Sequence, residues 1–357
     1  MNPVRVTRKI RVLVVDDSPL VRRLFRDAIN QQADMEVIGV APDPFVARDL
    51  LLKLKPDVMT LDVEMPRMDG LTFLGKVMHY QPMPVIVISS LTQSASRIAI
   101  EALRVGAVDV LAKPQGPNSV GELPQTLAAK IRAASAARAR RGLNVSMSGG
   151  LPEPERSNFP PDALIAIGAS TGGTQAIEAL LTALPAHSPP IVIVQHIPAA
   201  FSAAFASRLN SLCRIEVREA QHNDVIREGL ALIAPGDFHM MVSKCSSPWR
   251  VMVRSGPRVC YQRPSVDVLF RSVAECNSHN TIGILLTGMG SDGAEGLLRL
   301  RQISGQTIAQ DEESCVVFGM PKAAIEIGAA AQILPLNRIM GAALTALERS
   351  PSAAHLA

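Results

Sequence analysis

The chain has 357 residues, of which 47% are hydrophobic, so it can bury two cores of ordinary domain size. Its net charge of +4 and its 3% of aromatic residues argue against a protein that binds nucleic acid through a basic surface or stacked bases. No apolar run approaches the length of a membrane span, and five cysteines without a Cys-x-x-Cys pair indicate free buried thiols in a reducing compartment, so we expect a cytoplasmic protein.

Short apolar runs alternate with segments of helical periodicity over the first 130 residues. Ser18 and Pro19 indicate a helix start, because serine caps helices well and proline fits the first helical position. The apolar runs are 10–15, 37–41, 58–61, 85–88 and 108–111. Strands that are apolar on both faces and alternate with helices predict a five-stranded parallel sheet covered on two sides, in a domain of residues 1–130.

The composition changes over residues 131–160. This segment begins as a helix end rich in alanine and arginine and continues, from residue 142, with many glycines, serines and prolines. Such a composition is typical of a flexible linker. The arginines at 132, 138, 140 and 141 are compatible with a nucleic-acid patch, but we favour a solvated helix end because nothing else supports nucleic acid.

The second half of the chain again alternates apolar runs and helical periodicity. Predicted strands are 163–167, 191–195, 215–217, 230–234, 239–243, 250–254, 281–286, 306–309 and 331–334, and predicted helices are 174–184, 199–211, 266–276, 293–301 and 321–328. The pattern predicts a second domain, residues 161–350, with a doubly wound α/β sheet and an antiparallel insertion. Residues 351–357 form a tail.

Charged side chains follow three of the first five strands. Asp16 and Asp17 follow the first strand, Asp62 ends the third, and Lys113 follows the fifth, so they converge at one edge of the sheet. Carboxylates this close need a cation, and oxygen ligands favour Mg²⁺. An aspartate beside Mg²⁺ and a lysine can accept a phosphoryl group, which the hydroxyl of Ser89 (or of its neighbour Ser90) can then bind. If Asp17 were considered without the other three residues, a carboxylate that caps a helix would be the simpler interpretation.

The strings 14–19, 61–70 and 113–114 resemble those of response-regulator receiver domains, over residues 10 to about 130. The resemblance implies a flavodoxin-like fold, Asp62 as phosphoacceptor and a histidine kinase as phosphodonor. It also implies a Mg²⁺ site of Asp17 and Asp62 with Asp16, completed by the carbonyl of Glu64. Val110 stands where many receivers carry Tyr or Phe, so we expect output through a domain interface rather than an aromatic switch.

A lone serine in the second half follows an apolar strand and precedes two glycines that open a helix. This arrangement presents the Ser170 hydroxyl at the carboxyl end of a sheet, close to helix N-terminal amides, as a nucleophile requires. His196, at the end of the next strand, is the first candidate for its base and His239 the second. Amides near Thr171 and Met289 are candidates for an oxyanion hole.

Asp292 lies in a Gly-x-Gly-x-x-Gly turn, residues 288–293, that also fits a dinucleotide site. We disfavour that interpretation because the Asp292 carboxylate would repel a pyrophosphate, whereas it would stabilise a histidine that becomes charged. The chain order Ser170, His196, Asp292 differs from the familiar hydrolase orders.

Six strings in the second half resemble the catalytic domain of chemotaxis protein-glutamate methylesterases (the CheB family). They are 167–173, 195–198, 234–240, 263–270, 286–294 and 310–321. The resemblance implies Ser170, His196 and Asp292 as a triad without a cofactor that hydrolyses glutamate methyl esters on chemoreceptor helices, often with deamidation of receptor glutamines. A phosphorylation-controlled receptor-docking module is the alternative, and a DNA-binding regulator ranks last because the second half has no helix-turn-helix segment.

Overall fold

The computed structural model describes residues 8–65, 68–114, 117–137, 159–243, 249–276, 279–303 and 305–348. They belong to two compact units, Met1–Leu143 and Asn144–Ala357. Most of the predicted linker, the tail and Cys245 lie outside the described residues, and the predicted domain boundaries stay a prediction. Within the described part of the chain, no helix is both long and apolar enough to cross a membrane.

The first unit alternates strands and helices as its sequence predicts. Its elements are β1 (Ile10–Val15), α1 (Pro19–Asn30), β2 (Met35–Ala41), α2 (Pro44–Leu54), β3 (Val58–Asp62), α3 (Gly70–Tyr80), β4 (Val85–Ser89), α4 (Gln93–Val105), β5 (Asp109–Ala112) and α5 (Pro117–Ala136). Side chains cap several helices; Ser18 accepts a hydrogen bond from the amide of Val21, and Asp43 accepts from those of Phe45 and Val46.

The five strands form one parallel sheet in the order β2-β1-β3-β4-β5. The strand order reverses between β1 and β3, and a crevice opens there at the carboxyl ends of the strands. Val12, Val14 and Ile88 are at most 1% exposed, and Phe25 of α1 and Leu127 of α5 join their core cluster. The predicted receiver-type fold is confirmed.

The second unit contains nine described strands and six described helices. They are β6 (Leu164–Ala169), α6 (Gly173–Thr182), β7 (Ile191–Gln195), α7 (Ala199–Leu212), β8 (Glu216–Glu219), β9 (Leu230–Ile233), β10 (His239–Ser243), β11 (Arg250–Arg254), α8 (Val266–Glu275), β12 (Thr281–Leu285), α9 (Ala294–Gln302), β13 (Gln306–Gln310), α10 (Met320–Glu326), β14 (Gln332–Leu334) and α11 (Leu336–Glu348). α11, whose buried face includes Ile339, Met340 and Ala343, was not predicted from the sequence.

Seven strands of this unit form a parallel sheet in the order β14-β13-β12-β6-β7-β9-β8. The predicted antiparallel insertion is confirmed as the hairpin of β10 and β11. β8 and β9, two of the four strands predicted between residues 215 and 254, instead extend the main sheet, with Val217 paired to Ala231 in parallel. The order reverses between β6 and β12, so their carboxyl ends flank the crevice of this sheet.

We expect Phe270→Ala to lower the free energy of unfolding of the second unit by about 3–5 kcal/mol. Phe270 lies on α8 and is 0% exposed within a core cluster of the second unit, so truncation leaves a cavity that rigid neighbours cannot fill. Urea denaturation monitored by circular dichroism measures the change. Phe45→Ala, the same substitution at a residue 45% exposed, is the control and should cost less than about 1 kcal/mol. Equal losses would contradict the assignment of the core.

Candidate functional site

The backbone of Ser170 is fixed by the strands on either side of β6. Its amide donates to the carbonyl of Thr287 at 3.0 Å, after β12, and its carbonyl accepts from Nε2 of Gln195 at 2.8 Å, at the end of β7. The chain then turns sharply into α6 through Gly172, whose φ of +78° favours glycine. Ser170 is therefore held at the carboxyl edge of the sheet, as predicted.

His196 lies beside Ser170 because both follow paired strand residues. Ala169 pairs with Gln195, and the His196 amide donates to the carbonyl of Ala169 at 3.0 Å. Nε2 of His196 lies 2.8 Å from Oδ2 of Asp292, and the two side chains are 5% and 2% exposed. Nδ1 of His196 is buried and has no hydrogen-bond partner in the described part of the chain. The structure thus pairs His196 with Asp292, places both His196 and Ser170 at the ends of paired strands, and leaves Nδ1 as the ring nitrogen without a partner.

Three donors at the start of α8 surround the carboxylate of Asp292. The hydroxyl of Ser265 donates at 2.7 Å, the amide of Val266 at 2.8 Å and the amide of Asp267 at 3.1 Å. Burial raises the pKa of Asp292, but the hydrogen bonds and charge of His196, with the bonds from Ser265 and Val266, outweigh burial and leave the pKa below its ordinary value. Asp292 is therefore an anion, and Nε2 of His196 is the donor between them.

Ser265 was not among the site residues predicted from the sequence. In the sequence it stands directly before a predicted helix, at a position where serine is a preferred cap, and this was the pattern that could have identified it. Ser265 also donates through its amide, at 3.3 Å, to Nδ1 of His239, whose Nε2 lies 2.9 Å from the carbonyl of Pro257. His239, the second candidate for the base, is thus buried with both ring nitrogens bonded to backbone groups, and it supports Ser265 rather than Ser170.

The loops that carry the two oxyanion candidates pack tightly together. The hydroxyl of Thr287 donates to the carbonyl of Thr171 at 3.0 Å and accepts from the amide of Val317 at 2.9 Å. Gly288 approaches so closely that a Cβ there would lie 2.7 Å from Cβ of Ser170. Thr171 is the residue after Ser170, and Met289 is the residue after Gly288, which packs against Ser170. The amides of Thr171 and Met289 therefore both remain candidates for the oxyanion hole.

The free thiols are not all buried as predicted. Among the described cysteines, Cys315 is buried, Cys213 and Cys276 are half-buried, and Cys260 is exposed. Cys260 lies in a turn close to the second unit's site, with Sγ 3.8 Å from Oδ2 of Asp267. The prediction failed for Cys260 because apolar periodicity does not report which short turns reach the surface.

The four charged groups predicted in the first unit also converge. Carboxylate oxygens of Asp16, Asp17 and Asp62 lie within 4.8 Å of one another. Nζ of Lys113 is 2.7 Å from Oδ2 of Asp62 and 3.6 Å from Oδ2 of Asp16. At the end of β4, the buried hydroxyl of Ser89 donates to the carbonyl of Ala95 at 3.1 Å.

Burial and mutual repulsion perturb these carboxylates. Burial, and then the charge of Asp62, raise the pKa of Asp16 to about 6, against an opposing effect of Lys113. Burial also raises the pKa of Asp62, although Lys113 and the amide of Glu64 oppose it. Oδ2 of Asp16 is buried without a hydrogen-bond partner among the described residues. A cluster of acidic oxygens with an unsatisfied atom fits a divalent cation such as Mg²⁺.

Comparisons with known proteins give the family of both units. Residues 165–343 match the CheB methylesterase family model, and residues 12–123 match the response regulator receiver domain. A protein-glutamate methylesterase/protein-glutamine glutaminase of Syntrophus aciditrophicus is 51% identical over 93% of this chain and 97% of that protein. One of Salmonella typhi is 48% identical over 93% and 95%. The Thermotoga maritima CheB methylesterase catalytic domain is 37% identical, with a TM-score of 0.50 over 52% of this chain and 98% of that structure.

The pKa of Asp16 predicts a pH-dependent effect of Asp16→Asn on stability without Mg²⁺. The pKa is about 6 in the folded chain and 3.8 ordinarily, so between these values the folded state binds the proton more tightly. Ionisation of Asp16 therefore destabilises the fold as pH rises through this window. We expect Asp16→Asn to be neutral near pH 4 and to stabilise by about 2–3 kcal/mol above pH 6.

Denaturant unfolding of both proteins from pH 4 to pH 8, in a chelating buffer, measures this difference. Asp49→Asn, at an exposed carboxylate, is the control and should give no such dependence. Added Mg²⁺ should stabilise the unsubstituted chain above pH 6 more than Asp16→Asn, since the cation needs the ionised carboxylate. A constant difference across the pH range would contradict this electrostatic account.

Proposed function

The chain belongs to the CheB methylesterase family, and from that premise we propose that it hydrolyses glutamate 5-methyl esters on chemoreceptors and releases methanol. Its receiver domain makes this reaction subject to phosphorylation. The observation that supports this function most directly is the pair of His196 and Asp292 beside Ser170, with Nε2 on the acid and Nδ1 buried without a partner among the described residues.

In the proposed mechanism, Oγ of Ser170 attacks the ester carbonyl while its proton passes to Nδ1 of His196. The imidazolium formed is stabilised by the ionised carboxylate of Asp292 through Nε2–H. The tetrahedral intermediate collapses, and methanol leaves with the proton from Nδ1. Water, deprotonated at Nδ1, then attacks the acyl-enzyme, releases the glutamate carboxylate and restores Ser170.

We assign the amides of Thr171 and Met289 to the oxyanion that forms on the ester oxygen. Thr171 follows the nucleophile directly, and the packing of Gly288 against Ser170 brings the Met289 loop to the same side chain. One such donor is typically worth about 10²–10³ in rate. A glutamine amide carries the same carbonyl with ammonia as leaving group, so we propose that the same residues deamidate receptor glutamines; the names of the relatives include protein-glutamine glutaminase.

We propose that Asp62 accepts phosphate from a histidine kinase and that this relieves inhibition of the methylesterase by the receiver domain. Asp16, Asp17 and Asp62 would hold Mg²⁺, which neutralises phosphate charge when bound. Lys113 offers a second positive charge to the same oxygens, and Ser89 would exchange its bond to Ala95 for one to the phosphoryl group. The proposed phosphodonor is a histidine kinase and the proposed substrate is the cytoplasmic helices of a receptor, so we propose a cytoplasmic location.

Ser170→Ala should abolish methanol release, by about 10⁴-fold or more, because no other group replaces the nucleophile. Methanol released from membranes that contain methylated receptor measures the activity, and circular dichroism shows that the variant is folded. Ser291→Ala, an exposed serine in the loop of Asp292, is the control and should stay within about twofold. If Ser170→Ala kept its methanol release, the chain would be a docking module or use another nucleophile.

A small phosphodonor such as acetyl phosphate should raise methanol release of the full chain by about tenfold. Asp62→Asn should remove this stimulation because it lacks the acceptor carboxylate, whereas Asp49→Asn should retain it. A fragment of residues 160–357 should be as active without phosphodonor as the stimulated full chain. Inhibition by the receiver would be wrong if that fragment were no more active than the unphosphorylated chain.

A further inference from the structure

A two-residue turn beside the triad holds two consecutive residues in an unfavourable backbone conformation. Val259 and Gln262 exchange both backbone hydrogen bonds, at 2.8 and 3.0 Å, across Cys260 and Tyr261. Cys260 has φ of 50° and Tyr261 has φ of 64°, which is the left-handed pair of a type I′ turn. Glycine and asparagine are preferred at these positions, whereas a bulky aromatic residue is strained there.

This turn lies at the acid of the triad. Sγ of Cys260 and carboxylate oxygens of Asp267 and Asp292 all lie within 4.8 Å of one another. The adjoining Arg263 carbonyl accepts the amide of Asp237 at 3.2 Å, which ties the turn to the loop after β9. The position next to Cys260 is therefore fixed relative to His196 and Asp292.

Tyr261 is 87% exposed, the largest exposure among the described large hydrophobic side chains. Two neighbouring loops also expose such side chains, Phe238 at 44% and Met289 at 37%. The Phe238 loop packs on the segment after His196, since a Cβ on Gly236 would lie 2.3 Å from Ala199. Three loops that hold or adjoin triad residues thus each present one large apolar side chain to solvent, and we call Phe238, Tyr261 and Met289 the apolar rim.

We propose that Tyr261 is a specificity-determining residue that binds the substrate polypeptide beside the esterified glutamate. This inference rests on the proposed function. An ester on a protein side chain reaches Ser170 only if the flanking polypeptide crosses the surrounding loops, so the rim's occupant is the substrate itself. Tyrosine supplies a large contact area at low entropic cost, and strain retained at an exposed aromatic residue is typical of a functional position.

Tyr261→Gly removes the side chain without disturbing the turn, because glycine accepts a φ of 64° without strain. It therefore tests the contribution of the side chain to substrate binding separately from its effect on folding. We expect the KM for methylated receptor in membranes to rise about tenfold, with kcat within about twofold, in the phosphodonor-stimulated full chain. The midpoint of thermal unfolding should stay the same or rise. Tyr261→Phe keeps the ring and should keep the KM.

Tyr80→Ala is the matched control, since Tyr80 is the other tyrosine of the chain and is 82% exposed in the first unit. It should leave KM and kcat unchanged. An unchanged KM for Tyr261→Gly, or a fall in kcat together with a fall in the unfolding midpoint, would overturn the proposed role of Tyr261. Either result would leave the proposed methylesterase function standing. If the unsubstituted chain released no methanol, the proposed function would fail and this inference with it.

Discussion

The second unit's site depends on one buried negative charge, the carboxylate of Asp292. An ion in an apolar interior is tolerated only with several donors, and here the start of α8 supplies the hydroxyl of Ser265 and two amides. The same carboxylate fixes the ring of His196. The positions of α8, of the loop after β12 and of the end of β7 therefore depend on one another, and displacement of any one would disturb His196.

Both units collect charged side chains at the carboxyl edge of a parallel sheet, with opposite electrostatic results. In both, side chains at the carboxyl ends of parallel strands meet where the strand order reverses. Asp292 has donors enough to lower its pKa, whereas burial and neighbouring charge raise the pKa of Asp16. A satisfied carboxylate suits a neighbour that becomes positively charged, and an unsatisfied cluster suits a cation and the phosphate that it accompanies.

Most strands, and the convergence of residues at their ends, could be predicted from sequence because apolar runs identify strands and a parallel sheet collects their carboxyl ends. Strand direction could not, since the alternating polar and apolar residues of β8 are equally typical of an antiparallel strand, although β8 pairs with β9 in parallel. The Ser265 bond to Asp292 spans 27 residues and leaves no local pattern. Cys260 has a left-handed backbone conformation, which favours glycine or asparagine rather than cysteine. The residues around it therefore did not predict a turn, and its exposure was not expected.

In the proposed mechanism His196 acts through Nδ1, and this makes the site depend on the register of two strands. Nδ1 is bonded directly to Cγ, so it lies nearer the main chain than Nε2 and has a shorter reach. A base acting through Nδ1 therefore needs its nucleophile close to its own backbone, which the pairing of Ala169 with Gln195 provides for Ser170. A shift of register between β6 and β7 would therefore separate Nδ1 from Ser170 even if both side chains were unchanged.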